Sequence, residues 1–176
     1  TDQFIKNNEA VISRLKQMDT ALRGLLQNQI PELRENLSLK RSANAGSLDL
    51  TEFARSSLKQ IADQLNIQFG GRYLFAGSKT NVEPVTEANI LTSNIINGEA
   101  TASYYTGDDV TFSVQATESL DVEYGLKANN TAFQKLVAAY HKILEAEGFD
   151  NQLGSSAQTS IEAADTFVSE AFEELI

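Results

Sequence analysis

Two apolar stripes, one at each end of the chain, restrict what it can fold into more than any other feature. Phe4, Val11, Leu15, Met18, Leu22 and Leu25 recur at steps of seven, four, three, four and three. This is heptad spacing, and it lines up one apolar seam on one face of a helix. Near the other end Ile161, Ala164, Val168, Ala171 and Leu175 recur at steps of three, four, three and four. Stripes of this kind are buried by laying helices side by side, so the pattern predicts a helical rod rather than a wrapped sheet.

Between the apolar positions of the first stripe lie Lys6, Glu9, Arg14, Lys16, Asp19 and Arg23, as a solvated or subunit-facing side requires. Pro31 lacks a backbone donor and disfavours helix at Ile30, which predicts a kink or short break there. Helical spacing resumes through Leu33, Leu37 and Lys40. It ends at Ser42-Ala43-Asn44-Ala45-Gly46-Ser47, where Gly46 suits a left-handed cap. Asp49 followed by Glu52 resembles a capping box. Leu50, Ala54, Leu58, Ile61, Leu65 and Phe69 then carry a second seam as far as Gly70-Gly71.

Residues 72–125 lose helical periodicity. β-Branched and aromatic residues come in bursts over 72–76, 101–106, 110–116 and 120–124, and Thr106-Gly107-Asp108-Asp109 is placed as a hairpin turn between two of them. Helix returns with Asn130 or Thr131 as N-cap and Phe133, Leu136, Val137, Tyr140, Ile143 and Leu144 as its buried stripe. Glu147-Gly148 ends it, and a polar loop runs on to Gly154. The expected class is mainly α with a β-rich insert (α+β). An elongated rod of antiparallel, coiled-coil-like helices is formed by 1–71 and 126–176, and a small β-hairpin region by 72–125. Helices from opposite ends of the chain are expected to pair. The first seam begins at once without an initiator Met and the last stops at Leu175-Ile176 without a cap, so both terminal helices are expected to continue in a longer protein.

Composition excludes several function classes. The formal net charge is −10, against the basic patches that nucleic-acid binding requires. No apolar run approaches the roughly 20 residues of a membrane-spanning helix. Cys is absent and His141 is the single His, which removes thiolate zinc sites, cysteine nucleophiles and multi-His metal sites. The charge is also uneven: residues 1–80 carry net +3 and residues 81–176 net −13. Such asymmetry can steer one subunit onto its neighbour, or it can serve solubility alone.

Candidate chemistry fares poorly. Gly71-Arg72-Tyr73-Leu74-Phe75-Ala76-Gly77-Ser78-Lys79-Thr80 resembles a phosphate-binding loop but has five residues between its glycines, and Ser78 precedes the Lys. Its simpler role is a helix-to-strand turn, with Tyr73 and Phe75 packing inward. Asp108-Asp109 lacks the alternating ligands of a calcium loop and fits turn chemistry. Glu170, Glu173 and Glu174 are assigned to a solvated face, and His141 to the rim of the buried stripe. No catalytic residue, cofactor or metal ligand is assigned.

The stretch Phe69-Gly70-Gly71-Arg72-Tyr73-Leu74-Phe75-Ala76-Gly77-Ser78-Lys79-Thr80, with Pro84 following, resembles the bacterial flagellin family. It is closest to the hook-associated proteins of the hook–filament junction. Tyr104-Tyr105-Thr106-Gly107-Asp108-Asp109, Val122–Asn129 leading into Phe133, and the Ser42–Leu48 loop fit the same resemblance. The turn motif that carries it comprises Gly70, Gly71, Arg72, Tyr73, Phe75, Gly77, Thr80 and Pro84. The seam that would build the rod comprises Leu15, Met18, Leu22, Leu25, Leu58, Ile61, Leu65, Ile161, Val168 and Leu175.

The resemblance implies a non-catalytic structural subunit, exported unfolded without a cleaved signal peptide and assembled extracellularly in the flagellum. Its implied partners are further copies, other hook-associated proteins, flagellin, an export chaperone and the flagellar secretion apparatus. Flagellins often carry an Arg-Glu-Leu recognition core, whereas here Arg34-Glu35 is followed by Asn36, with Leu37 one place late. That departure favours the junction protein over a filament subunit, which stays as the alternative. A cytoplasmic helical binding module and an enzyme acting through Asp108 and Asp109 are the remaining classes.

Overall fold

Residues Asp2–Arg41 follow one helical path in the computed structural model, which describes residues 2–42, 48–117, 119–148 and 157–176. Helix α1 (Asp2–Gly24) passes into a π-helical turn (Leu25–Gln29) and then into α2 (Ile30–Arg41) without leaving helical geometry. The break expected at Pro31 therefore does not occur. In a regular α-helix the proline ring would press on the carbonyl of Gln27, four residues back. The wider turn just ahead of it takes up this conflict, and the Ile30 N–H bonds the Leu25 carbonyl five residues back.

Helix α3 (Thr51–Leu65) starts two residues later than expected, with no side-chain cap at Leu50. Asp49 does not form a capping box with Glu52. Its carboxylate instead accepts from the Thr51 N–H at 2.8 Å, and bonding to Thr51, by its hydroxyl first and its N–H second, holds its pKa below the usual value. The helix also ends earlier, at Leu65, because Gln68–Phe69 (β1) pairs with Arg72–Tyr73 (β2) in a hairpin. Phe69 thus belongs to a strand and not to the helical seam. Gly70 and Gly71 form its two-residue loop with φ of +59° and +74°, the type I′ geometry that glycine adopts without strain.

Across the insert, Thr86 caps the short α4 (Glu87–Ile90), accepting from the Asn89 N–H at 3.2 Å. β3 (Ile95–Ile96) and β4 (Glu99–Ala100) close over Asn97-Gly98, and β5 (Phe112–Thr117) pairs antiparallel with β6 (Leu120–Tyr124). Segment 101–106 is not a strand and contributes only the isolated bridge Val85–Tyr105. The turn expected at 106–109 is not a hairpin either. Asp108 is drawn to Ser78 instead of to a facing strand, and the strand pair that follows is β5 with β6, where Thr117 faces Leu120.

Helix α5 (Thr131–Ala146) is the centre of the fold. Asn130 caps it, accepting from the Ala132 N–H at 3.0 Å. Every residue from Leu136 to Glu145 is buried, as befits a helix enclosed on all sides. His141 is 1 % exposed, and its Nε2 lies 2.9 Å from the Ile90 carbonyl, so it is a core residue and not a rim residue.

Helix α6 (Ala157–Leu175) packs along α5 and α2, antiparallel to both. Lys135 of α5 bonds Glu170 at 2.9 Å and Glu174 at 2.5 Å, while Arg41 of α2 reaches Asp165 at 2.9 Å. Arg34 lies 4.7 Å above the Phe172 ring. Glu170 and Glu174 are thus fastened to α5 rather than merely solvated; Glu173 is exposed. Helices from opposite ends of the chain thus pair as expected, through α2 and not through α1: the apolar face of α6 is taken up by α5 and α2. The β5–β6 hairpin lies on α1 instead, with Arg14 donating to the Tyr124 hydroxyl at 3.0 Å. The cap expected at Gly46, the loop over 149–154 and the side chain of Phe4 lie outside the described residues.

Candidate functional site

Of the candidate residues, the turn motif is drawn into a structural knot. Downstream of the β1–β2 hairpin, Leu74, Phe75 and Ala76 turn into the core, and Tyr73 is half-buried. Phe75 meets Phe133 edge to face at 6.0 Å, and its carbonyl accepts from the Ala128 N–H at 2.9 Å. The Tyr73 N–H bonds the Thr80 carbonyl at 2.8 Å, and the Pro84 carbonyl accepts from the Thr106 N–H at 2.9 Å. Gly77 has φ +66°, and a Cβ there would run into the side chain and carbonyl of Asp108. Gly107 is equally enclosed, by the Tyr105 hydroxyl and the Ala76 carbonyl.

Asp108 is the hub. Its carboxylate accepts from the Ser78 N–H at 2.7 Å, the Ser78 hydroxyl and the Val110 N–H at 3.2 Å. Bonding to Ser78 above all lowers its pKa, so it stays an ionised acceptor. Tyr105 donates to the Asp108 carbonyl at 2.8 Å, and its phenol is pushed up to about 12, mainly by burial. Lys127 and Asn129 hold Asp109 through its carbonyl and its carboxylate, at 2.8 Å and 2.5 Å. Tyr104 is fully buried and donates to the Ala128 carbonyl at 2.8 Å. The three stretches singled out in the sequence therefore meet in one place. Their polar atoms face one another, which leaves Asp108 committed to neighbouring donors rather than poised as a base.

The seam residues divide. Leu25, Leu58, Ile61, Leu65 and Val168 are fully buried, and Met18 and Ile161 nearly so. Leu22 and Leu175 are partly buried against the core, and Leu15 is 39 % exposed. Leu15, Met18 and Leu22, with Asp19, Gly125 and Leu126, line an open groove of about 360 Å³ along α1. Further along α1, Ile12 and Ile5 are 50 % and 56 % exposed. Among the described residues no cluster of three or more His, Cys, Asp or Glu could hold a metal ion. No described helix is long and apolar enough to cross a membrane.

Sequence reasoning missed the polar residues that tie the elements together. Asn66 clasps Val85 by both its amide groups, at 2.6 Å and 3.1 Å. Buried Asn94 donates to the Thr101 and Gln134 carbonyls, each at 2.9 Å. Gln29 donates to Gln60 at 2.7 Å and accepts from Tyr140 at 3.1 Å. Isolated amides leave no periodic trace in a sequence. The π-turn does leave one, a step of five between the buried Leu25 and Ile30.

No protein-family model matches the chain, and no curated protein matches it. Solved structures do. A Bacillus cereus FlgL crystal structure aligns over 99% of this chain and 80% of its own, with TM-score 0.63 and 16% identity. A Vibrio parahaemolyticus chain assigned as a flagellar hook-associated protein aligns over 99% and 78%, with TM-score 0.61 and 14% identity. The helical rod with its knotted β insert is thus a fold that this chain shares with those two flagellar proteins.

Proposed function

We propose that the chain is a non-catalytic structural subunit of the bacterial flagellum, acting at the junction of hook and filament. In this reading it is exported without a cleaved signal peptide and assembles outside the cell. Residues 1–71 and 126–176 serve as the rod, with 72–125 as a β-rich insert on its flank. The observation that carries the reading is the apolar stripe of α1. α6 covers α2, whereas Leu15, Met18 and Leu22 line a groove open to a neighbouring helix. The likeness in fold to a FlgL and a hook-associated protein supports it, as does the engagement of Asp108 and Asp109 in structural bonds. Partners in this reading are further copies, other hook-associated proteins and flagellin, with a chaperone and the secretion apparatus during export.

Deletion of the gene tests the assignment. A junction protein leaves hooks that shed filament subunits into the medium, whereas loss of a filament subunit removes or shortens the filament. Unchanged flagella and motility would contradict both.

A further inference from the structure

We infer that Leu25–Gln29 is a joint on which α1, carrying the β5–β6 hairpin, swings as a lever relative to the helical core of α2, α3, α5 and α6. The inference concerns this chain alone and does not depend on the flagellar reading. The buried apolar positions on either side of the joint are Met18, Ala21 and Leu25, then Ile30, Leu33 and Leu37. The steps run three, four, five, three, four. The single five marks one residue more than heptad spacing allows, and the π-turn absorbs it while keeping both stripes on one side. Without that residue, 25 and 30 would be four apart and the stripe would run unbroken through an ordinary α-helix.

The surroundings of the turn suit a joint. Gly24 stands at its start, where a Cβ would press on the Gln64 amide at 3.1 Å, and Pro31 follows its end. Glycine, proline and π-turns are the usual sites at which helices bend, and all three fall within eight residues here. The two arms are held very differently. On the α2 side, Ile30, Leu33 and Leu37 are at most 1 % exposed, and Gln29 is bonded to Gln60 of α3 and Tyr140 of α5. On the α1 side, no described side chain before Met18 is buried, and the bond from Arg14 goes to Tyr124 of the β5–β6 hairpin rather than to the helical core. Gln29 is therefore a latch that fixes the base of the joint to the core, while the lever beyond it carries the open groove.

Pulsed electron–electron resonance between spin labels at Lys6→Cys on α1 and Glu52→Cys on α3 tests this, both sites being exposed. The parent should give a broad distance distribution. Deletion of Asn28 combined with Pro31→Ala should join the stripes in one regular helix and narrow that distribution about twofold. Gln29→Leu, which removes the latch, should broaden it. Equal widths in the parent and both variants would overturn the inference. So would global unfolding of the deletion variant, since a joint is dispensable for the fold of the core.

Discussion

Asp108 and Ser78, thirty residues apart, are bonded twice: the Asp108 carboxylate accepts both the backbone N–H and the hydroxyl of Ser78. This pairing closes the loop after Phe75 onto the segment after Tyr105. Both glycines that flank it, Gly77 and Gly107, are packed too closely for any side chain.

Gly77→Ala and Gly107→Ala should each destabilise the protein by roughly 2–3 kcal/mol, through overpacking and, at Gly77, backbone strain. Gly71→Ala, where nothing lies within 4 Å of the added carbon, should lose only the strain of its positive φ, about 1 kcal/mol. Urea unfolding of the three variants checks the order, and equal losses at Gly71 and Gly77 would contradict the packing of the knot.

The pairing also sets a pH dependence. Because the folded pKa of Asp108 lies below its ordinary 3.8, its contribution is fully present above that value. It is lost as pH falls through 3.8 towards the folded pKa. The difference in urea midpoint between the parent and Asp108→Asn should hold constant from pH 7 to about pH 5 and shrink below about pH 4. A difference that stays unchanged at low pH would show that ionisation of Asp108 plays no part.

Tyr104→Phe removes a buried donor from the Ala128 carbonyl just ahead of α5 and should cost about 1 kcal/mol. Tyr104→Ala, which also opens a cavity, should cost about 3–5 kcal/mol. Hydrogen exchange at the start of α5 locates the loss, because Asn130 and Ala132 form the cap immediately beyond.

Lys135→Ala removes the clamp between α5 and α6. Its side chain is 25% exposed and its partners Glu170 and Glu174 are 46% and 34% exposed. The loss should therefore be at most about 1 kcal/mol, and it should fade in about 1 M salt. A loss insensitive to salt would point to packing of the lysine stem instead.

Leu15→Asp places a charge in the α1 groove, where the parent side chain is already 39 % exposed. Monomer stability should change by no more than about 0.5 kcal/mol, whereas incorporation into flagella should be lost. Leu58→Asp, at a fully buried position, should unfold the monomer. Normal incorporation of the Leu15 variant would remove the groove from the assembly surface.

The helices were legible in the sequence because burial on one face writes a period into it: α3, α5 and α6 follow their predicted stripes closely. The cap of α5 was legible to within one residue, Asn130 or Thr131, since such a side chain before an apolar run has a local partner, and Asn130 takes the role. Legibility failed where partners are distant. Asp108 looked like a turn residue because its bonds go to Ser78, which no local pattern discloses. Pro31 looked like a break because its conflict with helix is local, whereas the step of five that marks the compensating π-turn stands out only once Leu25 and Ile30 are known to be buried. The pairing of helices from opposite chain ends was legible, but not that α2, and not α1, takes α6, because heptad stripes state that a helix is buried but not against which neighbour.

A subunit of the hook–filament junction must reside on the flagellum. Immunogold electron microscopy with antibodies to the 72–125 insert, in flagellated cells making the full-length protein, measures this directly. Gold in a narrow band between hook and filament is the predicted result. Label confined to the cell interior, with none on the flagellum, would contradict it.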